Sequence, residues 1–201
     1  MQFLDGASLF AQEAASIEAN PADVSEEMRV RHRAFVSAAV MQAVAALESE
    51  ASEILIHGPG HHLGSNGVDL AARDFLAPVA DMVDSLPVLE RFEKVLHLTR
   101  KPVMDRGAGP YQNMALVVKL RNEITHFKSL WGSELDRQKL VHQLRDKHFA
   151  RPPFVSEHSL FFPHQVLGSA CATWSVTSAV AFLTDFYEKL GFPCRMARFK
   201  K

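Results

Sequence analysis

Arg121, Asn122 and His126 are the residues of this chain whose types and spacing point most directly to chemistry. An arginine presents a fixed fork of N–H donors that suits a phosphate, and a histidine can take up and return a proton near neutral pH. An asparagine both donates and accepts hydrogen bonds, so it can orient either neighbour. Together these side chains are suited to cleaving a phosphodiester.

The surrounding sequence predicts a helix that positions these three residues. Apolar residues recur through it at helical spacing: Leu116, Val117, Leu120, Ile124 and Phe127. This stripe should face a core. Asn122 and His126 are four residues apart, so they lie one turn above another and away from the stripe. Arg121 lies on the flank, with a side chain long enough to reach the same polar arc.

The run Arg-Asn-Glu-Ile-Thr-His from Arg121 to His126 resembles the RNxxxH form of the R-x(4–6)-H motif of HEPN domains, which are small and all-helical. The resemblance implies a bundle that carries the motif on a late helix and pairs as a two-fold homodimer, with two motifs facing each other. It also implies a metal-independent endoribonuclease that leaves a cyclic phosphate. Other HEPN domains are catalytically silent modules for binding or dimerisation.

Under the first hypothesis for function, the protein is such a ribonuclease, of the toxin or phage-defence type. His126 acts as acid or base on a ribose 2′-hydroxyl and the leaving oxygen, Arg121 stabilises charge on the phosphate, and Asn122 orients one of them. Lys119 and Lys128 flank the motif and are the candidate RNA-binding residues. A cognate antitoxin or another protein is a possible partner, and no cofactor is expected.

The second hypothesis is a helical dimer without turnover. Arg121 and His126 then hold the interface by hydrogen bonds, and the dimer binds RNA, a nucleotide or a protein partner. A further interpretation is nucleotide or nucleotidyl-group binding in a stress or phage-defence system. The same residue types are also typical of the solvated face of an amphipathic helix.

Net charge and cysteine content indicate how the protein could bind RNA and where in the cell it resides. The net charge of −1 gives no overall attraction to nucleic acid, so RNA would need a local basic patch. Four residues of one predicted helix are the best candidates: Arg137, Lys139, Arg145 and Lys147. Cys171 and Cys194 lie outside any CxxC pattern and the N-terminus lacks the order of a signal peptide, so we expect a cytoplasmic protein.

Three histidines, His57, His61 and His62, adjoin a glycine-rich loop at residues 58–67. Adjacent histidines without a carboxylate or cysteine at ligand spacing are more typical of an ordinary loop than of a metal centre. We therefore predict no metal site there.

Helical periodicity runs through most of the chain and strand alternation is lacking, so the predicted fold is an all-α bundle of about five to six helices. The predicted helices span residues 28–57, 68–85 with a kink or split at Pro78, 86–100, 111–130, 135–149 and 168–190. With 201 residues, one domain with extensions suffices. We expect an N-terminal extension at 1–27 with a short helix, the HEPN-like bundle at 28–190 and a basic tail at 191–201.

Two segments of the chain, residues 168–190 and 150–163, have unusual compositions. The run at residues 168–190 is apolar, but its Ser, Thr and Asp content favours a core or dimer helix over a membrane span, so no membrane contact is expected. The interval 150–163 is rich in proline and aromatic residues, which indicates a loop that acts as a lid or strap.

Overall fold

Helices form all the regular structure in the part of the chain that the computed structural model describes, which comprises residues 2–58, 76–126 and 138–192 with Met196 and Phe199. No strand occurs among these residues. The predicted all-α fold class is therefore confirmed.

Seven α-helices are assigned in these ranges, and most overlap the predicted ones. They are α1 (Gln2–Glu18), α2 (Glu26–His57), α3 (Ala80–Asp84), α4 (Val88–Leu98), α5 (Gly109–Thr125), α6 (Lys139–Arg145) and α7 (Ser169–Leu190). Shorter helical turns occupy Pro21–Asp23, Ala77–Val79 and Phe161–Gln165. The turn at Ala77–Val79 contains Pro78 and precedes α3. Residues 68–75 of the predicted helix lie outside the described residues, so its kink or split at Pro78 stays a prediction.

Local chemistry explains several helix ends. The Ser25 hydroxyl accepts the backbone N–H of Met28 at 3.2 Å, which caps the first turn of α2. Gly58 ends that helix with φ of 80°, a conformation that glycine adopts without strain, and its N–H donates to the Ile54 carbonyl at 2.9 Å. Pro110 lies in the first turn of α5, where its missing N–H is not needed.

The first helix is longer and more deeply packed than the short N-terminal helix that the sequence led us to expect. Its buried side chains recur every three or four residues: Leu4, Ala7, Ala11, Ala14 and Ile17. Three of these five are alanines, which contribute little hydrophobic signal yet allow helices to approach closely. The division of the chain at residues 27 and 190 stays a prediction.

The chain separates into two compact units. The first consists of Met1–Val44 and Asn113–Ser178, and the second of Ala45–Gln112 and Ala179–Lys201. The candidate residues on α5 belong to the first unit.

The core of the second unit contains a cluster of aromatic side chains. Phe92 of α4 lies 5.2 Å from Phe182 and 4.8 Å from Phe186 of α7, in edge-to-face geometry. Beside them, the Tyr187 hydroxyl donates a hydrogen bond to the Glu50 carboxylate. Both residues of that pair are only 2% exposed.

Among the described helices, α2 is long and apolar enough to cross a membrane. Its most apolar window of 18 residues has a mean hydropathy of 1.2, and 50% of that window is buried within the protein. A buried core helix has the same length and composition, so this is weak evidence for a membrane span. The cytoplasmic location stays a prediction.

Candidate functional site

Helix α5 carries the motif and is anchored by its apolar stripe. Its buried side chains are Met114, Leu116, Val117 and Leu120. Ile124 is half-buried, and Phe127 lies outside the described residues. The predicted burial direction is therefore confirmed as far as Leu120, and the opposite side of the helix faces solvent.

The helical geometry extends through the motif to its histidine. The His126 N–H donates to the Asn122 carbonyl at 2.9 Å, and the Thr125 hydroxyl donates to the Arg121 carbonyl at 2.8 Å. Asn122, Thr125 and His126 are all exposed. The last turn of α5 thus presents the asparagine and the histidine together.

An open cleft of about 470 Å³ lies beside this turn, and we call it the His126 cleft. Four of its lining residues come from α5 and the turn that ends it, and two come from the start of α6: Lys119, Asn122, Glu123, His126, Gln138 and Leu140. Its volume is within the range of small-molecule binding sites. The structure therefore brings Asn122 and His126 to one place, as the helical spacing predicted, and Lys119 lies beside them.

Of the two remaining candidate residues, one lies away from this cleft and the other is outside the described residues. Arg121 is half-buried on the flank of α5 and does not line the His126 cleft. Helical geometry explains this, because consecutive residues point about 100° apart on a helix. Lys128 lies outside the described residues. The catalytic role of Arg121 and the RNA-binding role of Lys128 stay predictions.

Sequence reasoning missed three lining residues, Glu123, Gln138 and Leu140. Glu123 follows Lys119 by four residues, so the helical spacing alone was enough to place them side by side. Gln138 comes from another segment, and no local pattern indicates its position. The carboxylate opposes the lysine charge, so the described wall of the His126 cleft carries little net positive charge at neutral pH.

Two residues of the predicted basic patch, Arg145 and Lys147, make contacts within the chain. Lys147 Nζ donates to Asn113 Oδ1 at 2.6 Å and lies 5.8 Å from the Trp174 ring centre. The Arg145 guanidinium lies 4.4 Å from the centre of the Phe161 ring. Lys139 is exposed, and Arg137 lies outside the described residues.

A second polar cluster in the first unit was not predicted from the sequence. His32 Nε2 of α2 lies 2.6 Å from Glu18 Oε1 at the end of α1. The same carboxylate accepts the Ser169 N–H at 2.7 Å and the Ser169 hydroxyl at 2.5 Å. Glu18 therefore caps the start of α7, where the backbone N–H groups have no helical partner.

Burial alone would raise the pKa of Glu18, but the hydrogen bonds from His32 and Ser169 outweigh it and lower that pKa. The carboxylate is thus ionised at neutral pH and can only accept, so the hydrogen between the two side chains belongs to His32 Nε2. The cluster also needs Gly168, because a Cβ atom there would lie 2.9 Å from Pro152 Cγ and 3.1 Å from Glu18 Oε1.

The described residues also include one cysteine, Cys171, and several residues of the types that bind metals. Cys171 is buried, and burial raises the pKa of its thiol to about 12, so the thiolate needed for reactivity is scarce at neutral pH. No group of three or more histidine, cysteine or acidic side chains there is arranged to hold a metal ion. His61, His62 and Cys194 lie outside these ranges.

Within the first unit, the loop that leads from α6 to α7 packs on the start of α2. Phe154 meets the His32 ring edge-to-face at 4.9 Å, and Arg29 Nη1 donates to the Phe154 carbonyl at 2.9 Å. Pro152 is buried. Of the two predicted roles for this segment, these contacts favour a strap.

In comparisons with known proteins, no family model, no curated protein and no solved structure matches this chain. The HEPN resemblance thus depends on the Arg121–His126 motif and its helical setting.

Proposed function

We propose that this protein is a HEPN-like, metal-independent endoribonuclease of the toxin or defence type, which cleaves RNA at a site shared by two copies of the chain. The observation that carries the proposal is that Asn122 and His126 project from one helical turn into the same open cleft, beside Lys119. The all-helical fold is consistent with it.

The His126 side chain of one copy acts as the base in this reaction. As a base, it takes the proton of the ribose 2′-hydroxyl while that oxygen attacks the adjacent phosphorus. The bond from phosphorus to the 5′-oxygen breaks, and that oxygen receives a proton from an acid. The products are a 2′,3′-cyclic phosphate and a 5′-hydroxyl end. Asn122 and Lys119 bind the phosphate oxygens and hold the RNA in the cleft.

Pairing of two chains completes this chemistry. His126 is the one histidine among the described residues that line the cleft, whereas base and acid act on opposite sides of the phosphorus. A second copy would bring its own histidine as the second group. It would also bring cationic side chains, which the described wall needs because Glu123 opposes Lys119.

The chemistry of the products tests this proposal. Purified wild-type protein is incubated with a mixed RNA pool in EDTA, its native mass is measured, and the RNA ends are identified. A dimer that leaves 2′,3′-cyclic phosphate and 5′-hydroxyl ends supports the proposal. Cleavage that stops in EDTA, or that leaves 5′-phosphate ends, would contradict it.

The second candidate function is a silent helical dimer that binds RNA, a nucleotide or a protein partner. It is favoured by the position of Arg121, which is half-buried and outside the lining of the His126 cleft. An arginine in that position suits an interface better than a reacting phosphate. For this function, Arg121→Gln should lower the native mass from dimer to monomer, and the wild-type protein should bind RNA without cutting it.

A further inference from the structure

A second, smaller cavity lies in the first unit, between the start of α2 and residues 150–163, which we call the strap segment. Its volume is about 150 Å³, and none of its described lining residues lines the His126 cleft. We call it the Phe154 cavity. The proposed ribonuclease reaction makes no use of it.

One part of this cavity is apolar. Its apolar lining side chains all come from the strap segment and the turn after it: Phe154, Val155, Pro163 and Leu167. An apolar cavity of about 150 Å³ is roughly the size that accepts a benzene molecule. The cavity is therefore large enough for a single small ring or a short branched chain.

The other part of the lining is cationic. Arg29 and Arg33 of α2 lie on it together with His32 and His164, and no acidic residue is among the described lining residues. Arg33 and His164 are exposed, whereas His32 is 1% exposed. The positive charge is thus concentrated at the mouth, and His32 forms part of the buried floor.

The two arginines have different tasks. Arg29 Nη1 donates to the Phe154 carbonyl at 2.9 Å, and its guanidinium lies 5.4 Å from the ring centre, so Arg29 holds the wall in place. Arg33 Nη2 lies 3.6 Å from a carboxylate oxygen of Glu26, which is itself 77% exposed. An ion pair this open to water is weak, so another carboxylate can replace Glu26.

We infer that the Phe154 cavity binds a small organic monocarboxylate whose apolar body is about the size of a benzene ring. The body lies among Phe154, Val155 and Leu167, and the carboxylate lies at the mouth against Arg33. A guanidinium presents two parallel N–H donors that match the two oxygens of a carboxylate. A neutral molecule of the same shape could not replace Glu26 at Arg33.

Calorimetric titration of the full chain tests this inference with benzoate as the probe. Benzyl alcohol keeps the ring without the charge, and acetate keeps the charge without the ring. Benzoate should bind at least about tenfold more tightly than either control, which corresponds to one charge-assisted interaction or one buried ring. Equal binding of all three, or no binding of benzoate at millimolar concentration, would overturn the inference.

A pair of matched variants locates the site. Arg33→Gln removes the exposed guanidinium at the mouth and should weaken benzoate binding about tenfold. Arg31→Gln is the control, since Arg31 lies on the same helix against the Phe35 ring and does not line the cavity. Melting temperatures should match in the two variants. NMR of the wild-type protein with benzoate should show chemical-shift changes at Phe154 and Leu167. Equal benzoate affinity in both variants, or chemical-shift changes only elsewhere in the protein, would overturn the assignment.

Discussion

His32 Nε2 lies 2.6 Å from Glu18 Oε1, and this hydrogen bond joins the end of α1 to the first turns of α2. The carboxylate also binds the N–H and the hydroxyl of Ser169 at the start of α7. One largely buried side chain thus connects three helices of the first unit. Since Ser169 follows Glu18 by 151 residues, the contact joins two segments that are far apart in the sequence.

Glu18→Gln should therefore destabilise the protein. The amide cannot replace the charge-assisted hydrogen bonds to His32 and Ser169, and the loss should be about 2 kcal/mol in the free energy of unfolding. Urea denaturation measures this loss. Glu13→Gln is the control, because Glu13 is exposed on the same helix. Equal unfolding midpoints for the two variants would show that the Glu18 cluster adds nothing to stability.

The stability that Glu18 contributes should depend on pH. The hydrogen bonds hold its folded-state pKa below the ordinary value of 4.5. A group with a lowered pKa stabilises the fold fully above its unfolded-state pKa, and this contribution is lost as the pH falls through the folded-state pKa. The difference in unfolding free energy between wild type and Glu18→Gln should thus shrink from about pH 7 to about pH 3. A difference that grows with acidity would contradict this linkage.

Tyr187→Phe should destabilise the second unit. Glu50 and Tyr187 are each 2% exposed, and the substitution deletes the phenol donor beside a buried carboxylate. Removing one partner of a buried hydrogen bond costs about 1–3 kcal/mol, and we expect a loss in that range. The matched control is Tyr111→Phe, since Tyr111 is half-buried. Thermal melts in which Tyr111→Phe costs as much as Tyr187→Phe would argue against a special role for the buried pair.

Glu123→Gln should strengthen RNA binding at the His126 cleft. The substitution removes the one carboxylate among the described lining residues, so the charge of Lys119 is no longer opposed. Because Lys119 is exposed and Glu123 is only partly buried, water screens their charges. The gain should therefore be only about two- to threefold in affinity, and added salt should reduce it. Fluorescence anisotropy with a labelled RNA measures it, with Glu13→Gln as the control. Weaker RNA binding by Glu123→Gln would show that RNA does not enter the cleft beside Lys119.

The helices were predictable where large apolar residues recur, as in α4 and α5, and where glycine or proline marks an end, as at Gly58. Helix α1 was underestimated because its buried stripe is mostly alanine. The shared position of Asn122 and His126 followed from helical spacing within one segment. Gln138 and the Glu18–His32–Ser169 cluster did not, because they arise from tertiary contacts that local periodicity does not encode.

The most direct test of the proposed function is the rate of RNA cleavage in EDTA by wild type, His126→Ala and His142→Ala. His142 is exposed on α6 and does not line the His126 cleft, so it controls for the loss of any surface histidine. We expect His126→Ala to lower the rate by about 10²–10⁴-fold, the usual contribution of a general acid or base, and His142→Ala to leave it unchanged. Equal cleavage by His126→Ala and wild type, in preparations of equal purity, would contradict the proposed function.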